Sequence, residues 1–202
     1  MNSVLITVVF TVLYFGVTIF LTRGVRLGTK DLCLCGVTVA LTMILETIRV
    51  PLPTGASVPC VSMVPLMVLA VIADPRMSFL SGWVCGILVI FLVPGWYPVH
   101  WGQFFVEHMV CFSCYGYAGI LGSDKRWKIL CGIVIASILS VCGHTLSGVI
   151  FFSQNAWDGW GAWGYSIAYN FSEYIPICVL AGIIVLALPL NALKKVMGRA
   201  DA

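Results

Sequence analysis

The run VLITVVFTVLYFGVTIFL, residues 4–21, carries no charged side chain, and six more predominantly apolar windows follow at about 32–50, 59–73, 79–94, 104–121, 129–152 and 165–190. A helix crosses the hydrocarbon core of a bilayer with about 20 such residues. No water is available there to satisfy an exposed backbone, so only helices or closed barrels survive. With 60% hydrophobic and 9% charged residues, the chain cannot clothe a water-soluble surface. The pattern predicts an all-α integral membrane protein. The windows at 59–73 and 79–94 are short and bounded by proline or glycine, so they are expected to tilt little or to be partly irregular.

Orientation follows from the basic residues, which are retained on the cytoplasmic side. With the amino terminus outside, Arg23, Arg26, Lys30, Arg76, Lys125, Arg126, Lys128, Lys194, Lys195 and Arg199 all fall inside, and Arg49 alone lies at an outer end. This predicts a multi-pass cell-membrane protein with a cytoplasmic carboxyl terminus. The net charge of +3 is thereby explained by topology, and no nucleic-acid partner is expected. The first window lacks a basic segment before it, unlike a signal peptide, and is read as a retained helix. Residues 1–30 are expected to form an additional amino-terminal transmembrane helix with a basic cytoplasmic linker, and 31–202 a six-helix membrane domain. The nine cysteines have neither zinc-site spacing nor a disulfide framework and are read as small buried hydrophobes.

Ionisable groups within the windows are the informative exceptions, because each costs about 2.5–3.5 kcal/mol at mid-bilayer even on the mildest scale. Glu46, Glu107, His144 and Glu173 all lie in the outer halves of their helices, where one outward-facing cavity can receive them. Asn170, Glu173 and Tyr174 share a helical face, and Tyr165 and Tyr169 share a neighbouring one. Gly148, one turn beyond His144, permits close approach of a ligand or a backbone. Bland readings stand beside these. Glu46 is three residues before Arg49 and suits a structural ion pair; His144 and Asn170 suit interhelical hydrogen bonds; Trp96, Trp101, Trp157, Trp160 and Trp163 suit an interfacial aromatic belt. Together, a carboxylate, an imidazole, an amide, tyrosine hydroxyls and aromatic faces suit a flat, cationic, hydrogen-bonding solute.

The stretch HTLSGVIFFSQNAWDGWGAWGYSIAYN, residues 144–170, and more weakly QFFVEHMVCFSCYGYAGILG, residues 103–122, resemble the thiamine-specific S component of energy-coupling factor (ECF) transporters. The resemblance implies a six-helix S-component bundle, here with one added helix. It implies that Glu107, His144, Tyr165 and Asn170 contact the two rings of thiamine, that Gly148 lines the site, and that Tyr97 approaches from an outer loop. Phe152 stands where the family places a stacking tryptophan, His108 where an aromatic usually follows the glutamate, and the first outer loop, PLPTGASVPC, lacks the family's tryptophan. Glu173 lies outside the family pattern and is expected, as an extra carboxylate, to attract the thiazolium charge. Small residues four apart on the first core helix serve docking in the family; Gly36 and Ala40 are the nearest equivalents.

The function so implied is capture of thiamine outside the cell for uptake driven by a transmembrane coupling protein and two ATPase subunits. The chain has no GxxxxGK[ST] loop with which to hydrolyse ATP itself. No enzyme activity and no cofactor is expected, thiamine being cargo. Two alternatives stay open: an S component for another heteroaromatic cation or thiamine precursor, and an intramembrane hydrolase using Glu107 with His108 or His144.

Overall fold

The computed structural model describes residues 2–51, 57–59, 61–93 and 98–197. Its helices are α1 (Ser3–Thr22), α2 (Thr29–Thr47), α3 (Val64–Ile72) and α4 (Pro75–Leu92), then α5, a composite over 101–119, followed by α6 (Arg126–Phe151), α7 (Ala162–Ala187) and α8 (Leu190–Val196). Each apolar window has its helix, and the order of elements is the one expected. Four helices, α1, α4, α6 and α7, are long and apolar enough to cross a membrane by length and composition. Helix α3 has nine residues and spans only about 14 Å at 1.5 Å per residue. The irregularity foreseen for that window is therefore real. Between α2 and α3 a short antiparallel hairpin pairs Arg49–Pro51 with Ser57–Pro59.

Two departures from the expected spans have local causes. The window at 104–121 is not one α-helix. It runs as α (Trp101–Gln103), π (Phe104–Met109), α (Val110–Ser113) and 3-10 (Cys114–Gly119). Periodicity in an apolar stretch does not reveal such changes of winding, because every face is apolar. The last window begins three residues early, at Ala162 after the Gly161 cap, and ends before Leu188 and Pro189; Pro176 lies inside this helix.

Glycines set the closest helix contacts. A Cβ on Gly132 of α6 would collide with the Ala118 carbonyl, and one on Gly86 of α4 would stand 2.7 Å from the His108 carbonyl oxygen. Composite α5 is thus clamped between α4 and α6 by backbone contact. Gly82 and Gly86 are ordinary packing positions. Gly36 on α2, by contrast, has nothing within 4 Å.

Helix α1 packs on α4, α5 and α6 through a hydroxyl-bearing side. The Tyr14 hydroxyl is 2.7 Å from Ser113 Oγ, Thr18 is fully buried, and Trp163 Nε1 donates to Ser3 Oγ at 3.2 Å. Its other side exposes Leu5, Val9, Val12, Leu13 and Phe20, as a lipid-facing helix should. The cysteine reading needs correction. Cys85, Cys111, Cys114 and Cys178 are buried, but Cys33, Cys131 and Cys142 are exposed on helix exteriors. In a bilayer, outward positions are as apolar as the core, so apolar flanks do not distinguish the two.

Candidate functional site

One cavity collects the polar residues. Its volume is roughly 270 Å³, and it is bounded by Arg49, Glu107, His144, Gly148, Phe152, Asn155, Tyr165, Ser166, Tyr169, Asn170, Glu173 and Tyr174. The walls come from the end of α2, the π segment of α5, and the facing ends of α6 and α7. Basic residues cluster at the opposite end of the bundle, where Lys128 bonds Asp124 at 2.8 Å and holds that carboxyl below its usual range. A larger groove of roughly 390 Å³ between α6 and α7 is lined by apolar residues apart from Ser137. It offers nothing to orient a polar solute.

Glu107 is the hub. Its Oε2 accepts from Gln103 Nε2 at 2.9 Å and from Ser147 Oγ at 2.5 Å, and its Oε1 lies 3.7 Å from His144 Nδ1. Gln103 is locked in turn by Val99 N–H, which donates to its Oε1 at 2.7 Å. The π-helical winding inserts an extra residue per turn and so re-aims the side chains that follow it, a device common at functional sites. Here it carries Glu107 into the cavity while His108, only 1% exposed, packs by Phe104 and does not line the cavity.

The imidazole of His144 stacks on Tyr174, with centroids 3.9 Å apart and planes at 15°. On α7, Ser166 Oγ donates to the Thr145 carbonyl at 2.7 Å, and Asn170 Nδ2 donates to the Ser166 carbonyl at 2.8 Å. Gly148 makes this possible, since a Cβ there would strike Ser166 Oγ and stand 3.3 Å from Asn170 Nδ2. Its smallness thus serves the α6–α7 contact as well as the cavity wall. Tyr165 is flanked by Trp157, edge-on at 5.2 Å, and by Tyr169 at 5.5 Å.

Of the residues expected from sequence, Glu107, His144, Gly148, Phe152, Tyr165, Asn170 and Glu173 converge on this cavity. Tyr97 lies outside the described residues. Glu46 sits one layer away, in a small space behind His144 and Tyr174, and bonds Arg49 at 3.3 Å, the ion pair that its spacing suggested. Four contributors escaped sequence reasoning: Arg49, Ser147, Asn155 and Ser166. Ser147 is three residues after His144, and that spacing was the available signal. Trp101, Trp157, Trp160 and Trp163 are exposed, and none of them lines the cavity. That placement matches an interfacial belt.

A bundle of apolar helices holding a solute-sized, half-polar cavity near one end is the architecture of a membrane solute-binding protein. The comparisons make this particular. The chain belongs to the thiamine transporter protein family (Thia_YuaJ), whose profile matches residues 32–197. It is 25% identical over 153 residues to the thiamine transporter ThiT of Bacillus subtilis, covering 70% of this chain and 79% of that one. The solved structure of ThiT from Listeria monocytogenes superposes with a TM-score of 0.68 at 24% identity, over 84% of this chain and 96% of the other. The family is one of transporters and not of enzymes, and the chain is a multi-pass membrane protein. Helix α1 precedes the matched region.

Proposed function

We propose that this protein is the substrate-binding S component of an ECF-type transporter and that it captures thiamine from the extracellular side. The observation that carries this is the convergence of Glu107, held by Gln103 and Ser147, with His144, Asn170 and Tyr165 around one cavity. Those groups offer an acceptor, an aromatic plane and amide contacts to an aminopyrimidine, and carboxylates to a thiazolium. Arg49 apart, the lysines and arginines lie at the end of the bundle remote from the cavity, which supports an outward opening and a cytoplasmic carboxyl terminus. Titration of purified protein with thiamine, read by tryptophan fluorescence and calorimetry, is expected to saturate at submicromolar ligand. Absence of heat and quenching together would refute the reading.

Phe152 is a wall of this cavity, at the position where the resemblance implies a stacking tryptophan. Restoring the larger ring strengthens a cation–π contact, whose worth is about 0.5–2 kcal/mol. Phe152→Trp is therefore expected to tighten thiamine binding about threefold to tenfold in the same titration; unchanged or weaker binding would show that the ring does not face the ligand. The same position supports a second reading, an S component for another heteroaromatic cation or thiamine precursor. Competition against bound thiamine by such compounds separates the two.

On this reading a separate coupling protein and two ATPases drive uptake, consistent with a sequence that carries no GxxxxGK[ST] loop of its own. Gly36 and Ala40 are exposed on α2, and α1 packs on α4, α5 and α6 instead. That leaves a small-residue surface open for a partner helix. The double variant Gly36→Leu, Ala40→Leu is expected to bind thiamine as the wild type does while losing at least about tenfold in coupled uptake by proteoliposomes, a loss of close helix packing. Normal uptake would place docking elsewhere.

A further inference from the structure

Helix α1 stands outside the family-matched region, residues 32–197, yet it grips the segment that carries Glu107. Its Tyr14 is buried, and the hydroxyl lies 2.7 Å from Oγ of Ser113, itself fully buried. Ser113 gives its one hydroxyl proton to the Met109 carbonyl, the nearer of its two backbone acceptors at 2.6 Å, so Tyr14 is the donor to Ser113. A relay thus runs from α1 to Met109, the last residue of the π segment. Phe15, the next residue of α1, packs edge-on to Phe105 of that segment at 6.3 Å and stacks on Trp83 of α4 at 6.2 Å. Phe105 borders α1 beside Val8 and Val12, whereas Glu107 lines the cavity.

The π winding needs such a hold. Within it the Val110 N–H reaches the Phe105 carbonyl, five residues back. Such turns are rare and occur mostly singly, so the neighbours of this one must favour it over α winding. Relaxation to an α-helix would rotate one side of the segment against the other by one residue, about 100° around the axis. A turn of that size takes a side chain from the cavity to a different face of its helix.

We propose that α1 is a positioning strut for the binding site: Tyr14, through Ser113, and Phe15, against Phe105, hold the π winding that turns Glu107 into the cavity. This deepens the thiamine reading and rests on it for the ligand alone. Loss of the strut lowers the fraction of molecules with Glu107 in place, and the apparent affinity falls by that fraction. Tyr14 and Phe15 are then positioning residues that never touch the ligand.

The test compares Tyr14→Phe, Glu107→Gln and the double variant in calorimetric titrations of the full chain with thiamine. Tyr14→Phe is expected to weaken binding about threefold to tenfold, the scale of one hydrogen bond between membrane helices. In the Glu107→Gln background it is expected to add less than about twofold, because the aim matters only for the carboxylate. Ser113→Ala cuts the same relay from α5 and is expected to match Tyr14→Phe. Thr22→Val removes an α1 hydroxyl that bonds only within α1 and is expected to change nothing. Hydrogen exchange over residues 104–113 of the unliganded protein reads the strut without a ligand; it is expected to quicken in Tyr14→Phe and Ser113→Ala but not in Thr22→Val. Equal losses of affinity in both backgrounds, unchanged affinity, or unchanged exchange overturns the strut while thiamine binding by the wild type stands. Wild-type protein that does not bind thiamine overturns the thiamine reading, and the exchange comparison then decides the strut by itself.

Discussion

Glu107→Gln is expected to lower thiamine affinity by about 100-fold or more, the largest effect of any conservative change in the cavity. The carboxylate is acceptor-only, and two protein donors, Gln103 Nε2 and Ser147 Oγ, converge on one of its oxygens while the other faces His144. An amide of the same shape turns one acceptor into a donor. It must then either confront Gln103 and Ser147 with a like group or turn that group toward the ligand. Loss of a buried charged hydrogen bond costs about 1.5–3 kcal/mol, and disturbance of its neighbours adds to that. Calorimetry on the purified variant, with size-exclusion chromatography to establish that it is folded, checks the outcome. A variant that is folded and binds within about threefold of wild type would remove Glu107 from the binding site, since no charged contact so buried is worth so little.

The second large effect is on folding. Gly82→Val is expected to abolish most of the folded protein, because a Cβ at that position already stands 2.5 Å from the Phe112 carbonyl oxygen and collides with the Ser113 backbone. Backbone cannot retreat as a flexible side chain can. Overpacking by even a methylene or two costs about 1–3 kcal/mol, and a marginally stable fold has only about 5–15 kcal/mol in reserve. The consequence reaches the cavity, since the next glycine along α4, Gly86, touches the His108 carbonyl, one residue from Glu107. Helix α4 therefore sets where the π segment lies. The measurement is the monodisperse fraction after detergent extraction, with Gly36→Val as the control that meets no neighbour and is expected to extract normally. Equal yields from both variants would show that the α4–α5 contact is not tight.

Much of the cavity was legible from polarity alone. In a bilayer, Glu107, His144, Asn170 and Glu173 are conspicuous because their burial is expensive, and helical spacing put the last two on one face with Tyr174. The Glu46–Arg49 pair was legible for the same reason, from charges three residues apart. Ser147 and Ser166 were not, because serine is tolerated throughout membrane helices and carries no sign of having a partner 40 or 21 residues away. Arg49 was explained too early. Its pairing with Glu46 is local, whereas its place on the cavity wall depends on where the hairpin after α2 stands relative to α7.

Helix number and order were set by the linear chain, since the cost of burying a charge or a bare backbone in lipid acts on each segment separately. Winding and contact were settled only on assembly. The π turn that aims Glu107 inward and His108 away, the glycine contacts that clamp α5, and the hydroxyl-bearing side that holds α1 to the core all arise between helices. An apolar segment looks alike to lipid and to a neighbouring helix, so its own residues do not say which of the two each face will meet.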